Sequence, residues 1–239
     1  MRPVVRGDCP KDNLGNEVSF TEYPQARREL IHRLGEYCSY CEMHLDSSLA
    51  VEHVRPKRPP GAAAAIPDRE LAWDNFLLAC TNCNSTKGDI DVALGDYLWP
   101  DKDDTFHALK YSVGGVVEAE PGENKAKAEL LIKLVGLQQQ ADTDRASDRR
   151  WLNRREAWDQ ATRAKDLLAN CPRDEMRELI VMTAQAKGFW SVWMTVFADD
   201  AEMVRRFVAA LPGTQVEFFA TREQSSAHRC QGWSNELLT

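Results

Sequence analysis

The chain has 239 residues, 43% of them hydrophobic and 28% charged. This balance excludes collagen-like, disordered and membrane-embedded chains and suits one larger unit plus a smaller one, or a core with a helical extension. No apolar run approaches the roughly 18 residues of a membrane span, and the opening residues lack the apolar stretch of a secretory signal, so a cytoplasmic location is expected. With 30 Lys and Arg against 37 Asp and Glu, the formal charge is -7. That is unfavourable for coating nucleic acid by bulk electrostatics, so any such contact must be local or shared with a partner.

A first helix is predicted from Pro24 to Leu34. Proline suits its first turn, Ala26, Leu30, Ile31 and Leu34 recur at helical spacing, and Gly35 stops it. Cys38 and Cys41 follow at once. Leu49 to Val54 is a compact β-leaning run; a Pro/Ala-rich loop separates it from a second, Asn75 to Cys80. After Cys80 and Cys83 the segment CNSTKGDIDVALGDYL reads as a turn that opens a helix, and Pro100 closes the unit. Beyond about Gly122 the periodicity is helical throughout, including a long charged stretch from Thr143 to Ala169. The expected fold class is α+β, with an N-terminal unit over 1–115 (core 37–94) and a mostly helical one over 123–239. The boundary is expected between Val113 and Glu123, where glycines and a proline cluster.

Four of the seven cysteines form two C-x-x-C pairs, Cys38/Cys41 and Cys80/Cys83. In a cytosolic chain this points to metal rather than disulfides, and two such turns satisfy tetrahedral Zn²⁺. Four thiolates leave no position for water, so this zinc is expected to be structural, its binding energy counting as folding energy. His44 is a competing ligand. Cys9, Cys171 and Cys230 stand alone and carry no expected role.

Between and after the pairs lie Glu52-His53, Asn75, Asn84 and Lys87-Gly88. VEHVRPK, then WDNFLLACTNCNSTKG, resembles the HNH (ββα-metal) nuclease family, in which a zinc-stapled hairpin and helix surround one catalytic divalent cation. The resemblance spans roughly Tyr37 to Leu94. The chemistry agrees. Phosphodiester hydrolysis needs an activated water, charge for the leaving oxygen and cations for the phosphate. A neutral imidazole is a suitable base at pH 7, and His53 is the histidine between the pairs that sits beside a carboxylate. Alternation along a strand sends Glu52 and His53 to opposite faces, so the strand end must twist if both serve one phosphate.

The resemblance implies that Glu52 and Asn84 hold Mg²⁺ or Mn²⁺ and that Asn75 hydrogen-bonds across the loop to fix the His-bearing segment. Glu stands where many members have Asp, lengthening that ligand by one methylene. Lys87, taken to lie near a helix start, and the cluster Arg55, Lys57 and Arg58 are expected at substrate phosphate.

MRPV, YLWPDKDDTFHALKYS and KGFWSVWMTVF together resemble a narrower group, the HNH component of Septu-type anti-phage systems and related retron modules. This implies an ABC-type ATPase partner that licenses the nuclease and supplies nucleic-acid-binding surface. DNA is the preferred substrate, with RNA, including tRNA, also open. In the helical half Trp151, Trp158, Ala161 and Leu168 form an apolar stripe beside a band of Arg149, Arg150, Arg154 and Arg155, read as a solvated face or a contact to phosphate or an acidic partner. Phe189, Trp190, Trp193, Met194 and Phe197 read as core or as interface anchors. His32, His107 and His228 carry no expected role. The alternative from another class is a non-catalytic zinc module that binds nucleic acid or protein.

Overall fold

The computed structural model describes residues 1–140 and 148–220. Cys230, His228 and the first part of the charged stretch, up to 147, lie outside the described residues. A 3-10 turn, Tyr23–Ala26, leads into α1 (Arg27–Leu34), which ends at Gly35. The hairpin strands are β1 (Ala50–His53) and β2 (Phe76–Ala79), joined by a loop that contains the single-turn helix α2 (Pro67–Glu70). They pair antiparallel with Ala50 opposite Ala79 and His53 opposite Phe76. Helix α3 (Thr81–Lys87) follows β2 directly. β1 is one residue shorter at each end than the run in sequence, and β2 is shorter because Asn75 closes a 3-10 turn and Cys80 caps α3.

Helix α4 (Thr105–Ala108) leads into a second antiparallel hairpin, β3 (Leu109–Ser112) and β4 (Val116–Ala119). This hairpin occupies the stretch where glycines suggest a domain boundary. Helices α5 (Lys125–Val135), α6 (Arg150–Asn170), α7 (Asp174–Lys187), α8 (Trp190–Val196), α9 (Ala201–Ala210) and α10 (Glu217–Ala220) make up the rest. The fold is therefore α+β with a helical C-terminal part. No helix among the described residues is long and apolar enough to cross a membrane.

One apolar core runs through both parts. It includes Leu30, Leu34, Phe76 and Trp99 from the first and Val135, Trp190, Trp193 and Phe207 from the second. The aromatic cluster around Trp190 and Trp193 is thus buried rather than presented to a partner. Gly115 and Gly188 permit the closest approaches. Gly115 has φ +70° and meets the backbone of Arg154 on α6, while Gly188 has φ +74° and leaves a Cβ only 2.5 Å from Glu42 O and His44 N. Any side chain at Gly188 would push α7 off the turn that carries Cys38 and Cys41.

Candidate active site and zinc centre

The cysteine turns meet because β1–β2 pairing brings the entry to β1 beside the exit from β2. Cys38, Cys41, Cys80 and Cys83 are all buried, with their sulfurs within 4.8 Å of one another. Cys41 Sγ lies 3.7 Å from Cys80 Sγ. Tetrahedral zinc with Zn–S bonds of about 2.3 Å requires sulfur–sulfur edges of about 3.8 Å, so the four residues fit the ion. Cys80 has a second role: its Sγ accepts from Cys83 N and caps α3. His44 is not in the cluster; its Nε2 lies 4.0 Å from a Glu36 carboxylate oxygen.

His53 ends β1 and is 9% exposed. Its ring packs edge-on against Tyr23 and Phe76, with centroids 4.9 and 5.3 Å away. Nε2 lies 3.0 Å from the Glu70 carbonyl. A carbonyl can only accept, so Nε2 carries the proton and the lone pair resides on Nδ1. Burial holds the ring's pKa below the ordinary imidazole value. The ammonium groups of Lys57 and Lys87 add to this, and the bond to Glu70 opposes it. The imidazole is therefore neutral at pH 7.

Asn75 hydrogen-bonds across the loop. Its Oδ1 accepts from Arg55 N at 2.8 Å, and its Nδ2 donates to the carbonyls of Arg55 and Arg69, each at 2.8 Å. One amide thereby ties the segment after His53 to the residue just before Glu70.

Glu52 faces the other side of β1. It is 3% exposed, and its Oε1 lies 2.9 Å from Lys87 Nζ. Burial pushes its carboxyl above the usual range, partly offset by Lys87. Asn84, half-buried on α3, makes no side-chain hydrogen bond within the described residues. Glu52 and Asn84 offer oxygen donors of the hard type that Mg²⁺ takes, and Glu52 is already ion-paired to Lys87.

Two expectations need correction. Lys87 ends α3 rather than starting a helix, and it is 1% exposed, with Nζ donating to the His53 carbonyl at 2.8 Å. It is consumed by Glu52 and by the backbone of the residue carrying the imidazole, and is not presented to a phosphate. The arginine band on α6 is not a surface feature throughout. Arg149 and Arg155 are exposed, but Arg150 and Arg154 are each 3% exposed. Arg154 bonds the carbonyls of Gly115 and Leu137, and Arg150 reaches the zinc centre.

Of the loop cations, Lys57 pairs with Glu70 at 3.2 Å and lies over the Tyr23 ring. Arg58 is exposed and donates to Ala62 O, while Arg55 is half-buried and anchored by its backbone. His107 is held by Asp104 at 2.6 Å. The sequence signals missed three participants: the Glu70 carbonyl, Tyr23 and Arg150. A main-chain acceptor has no residue signature, and an arginine on a charged helix reads as solvated.

Comparison with curated proteins gives no match for the chain. Residues 38–89 match the family described as HNH endonuclease. That span starts at the first zinc cysteine and ends just past α3, and the match supports metal-dependent action on nucleic acid in general. The N-terminal part of this chain thus carries an HNH domain whose four cysteines are positioned for a zinc ion.

Proposed function

We propose that the protein is a metal-dependent endonuclease that hydrolyses phosphodiester bonds, with DNA the preferred substrate and RNA or tRNA the second. The observation that carries this is His53: neutral, its Nε2 proton committed to Glu70 O and its Nδ1 lone pair without a partner among the described residues. Nδ1 takes a proton from the attacking water. Glu52 and Asn84 hold a Mg²⁺ or Mn²⁺ ion, which supplies positive charge to the departing 3′ oxygen when bound. Asn75 keeps the loop, and with it the imidazole, in register, while Arg55, Lys57 and Arg58 form the local cationic rim for phosphate.

The resemblance of the flanking segments to the HNH component of Septu-type systems supports a role in anti-phage defence with an ABC-type ATPase. A chain of charge -7 benefits from a partner that supplies nucleic-acid-binding surface. A non-catalytic zinc module is the second reading, favoured by the Glu52–Lys87 pair, which neutralises the carboxylate internally.

The deciding experiment incubates plasmid, single-stranded DNA and tRNA with wild type and His53→Ala, under Mg²⁺, Mn²⁺ or chelator, alone and with any copurifying ATPase. Wild type should cleave with metal, and the variant should lose about 10²- to 10⁴-fold of the rate while keeping its fold and zinc. Equal cleavage by both proteins under every condition overturns the assignment.

A further inference from the structure

The buried arginine on α6 has a geometry that a helix anchor alone does not require. Arg150 Nη1 lies 2.9 Å from Cys83 Sγ, and the same nitrogen donates to Val135 O at 2.7 Å. Asp148 aligns the fork through Nε at 2.9 Å and Nη2 at 2.7 Å, and also accepts from Asn82 on α3 at 3.3 Å. The guanidinium therefore touches a zinc-ligand sulfur, the end of α5 and its own carboxylate at once. A Zn²⁺ ion with four thiolates bears a net charge of minus two, and burying that charge without a nearby cation is costly.

We propose that Arg150 is an outer ligand-positioning residue of the zinc centre. It donates a charge-assisted hydrogen bond to the Cys83 thiolate, retaining the metal and locking α3, with Asn84 next to Cys83, against the helical part. Arginine is suited to this because it stays charged when buried and its planar fork binds several acceptors at fixed angles. Arg154 provides an internal contrast. It lies one turn along α6, is equally buried, and binds backbone carbonyls, with no sulfur among its hydrogen-bond partners. The inference rests on the zinc assignment and stands whether or not the chain cleaves nucleic acid.

The test uses the full chain loaded with zinc, its metal content measured first, as wild type, Arg150→Lys, Arg150→Met and Arg154→Met. Zinc transfer to a chromophoric chelator is timed, and cobalt-substituted samples are compared by their thiolate-to-metal charge-transfer band. Loss of an outer hydrogen bond to a ligand typically costs 10- to 100-fold in metal retention. Arg150→Met should release zinc at least tenfold faster with a shifted cobalt band, Arg150→Lys should lie between it and wild type, and Arg154→Met should stay within about twofold of wild type. If the methionine variants do not fold, Arg150→Lys against Arg154→Lys makes the same comparison. The proposal is overturned if the Arg150 variants match wild type in both readouts, or if the Arg154 variant speeds release equally.

Discussion

The state of the His53 ring, the candidate base, is set by three neighbours that do not react. The Glu70 carbonyl selects the tautomer, and the Tyr23 and Phe76 rings remove water that would favour the imidazolium. Because the ring's pKa is lowered in the fold, the proposed base stays deprotonated further into acid than a free imidazole does. The acid limb of kcat/KM should therefore fall off below the ordinary imidazole range, the rate declining as pH drops through the lowered value. The Lys57→Met variant, with a repelling charge removed, should shift that limb upward. A limb at or above the ordinary value would show that another group controls the rate. The identity of His53 as the base candidate was legible in sequence from its carboxylate neighbour and the flanking cysteine pairs. Its tautomer was not, because the selecting group is a main-chain oxygen 17 residues away.

Among the elements, β1 and α3 are joined by an ion pair between two buried side chains, Glu52 and Lys87. Lys87 reaches across to Glu52 and also bonds the backbone at the end of β1, so it sets the distance between hairpin and helix at the candidate site. Removing one member of a buried pair leaves the other charge unmatched, at a cost of about 3–5 kcal/mol. Lys87→Met should lower stability by that order in urea unfolding, whereas Glu52→Gln with Lys87→Met should recover part of the loss. A loss in the double variant equal to the sum of the losses of Glu52→Gln and Lys87→Met alone would mean the two side chains act independently. In sequence Lys87 reads as a surface phosphate contact because the pattern puts the helix start after the second cysteine pair. In the structure the pair itself forms the first turn, with a thiol serving as cap in place of the usual Ser, Thr, Asp or Asn.

At the scale of the molecule, the zinc centre lies where the HNH domain meets the helical part. Gly188 seats the end of α7 on the first cysteine turn, and Phe189 N donates to Glu42 O at 2.8 Å. Arg150 brings α6 and the end of α5 to the second turn. Zinc removal should therefore disturb more than a local knuckle. Chelation, or Cys38→Ser, should lower zinc content and cooperativity together. It should also alter near-ultraviolet dichroism from Trp190 and Trp193, which belong to the same core. If the tryptophan signals are unchanged in the zinc-free protein, the two parts are not coupled through the metal.

The amino-acid sequence by itself determined what local spacing can specify. Two C-x-x-C turns announce a tetrahedral site, two short apolar runs with a helix after them specify ββα, and the helical periodicity beyond Gly122 shows in the helices of the C-terminal part. Tertiary structure alone decided which charges are buried and with whom. Lys87, Arg150 and Arg154 have the same composition as any surface cation; only the approach of β1, the cysteine turns and the glycine-lined crossings gives them partners strong enough to offset desolvation. Pattern along the chain encodes which face is apolar, but the pairing of buried charges depends on contacts between residues as far apart as 83 and 150.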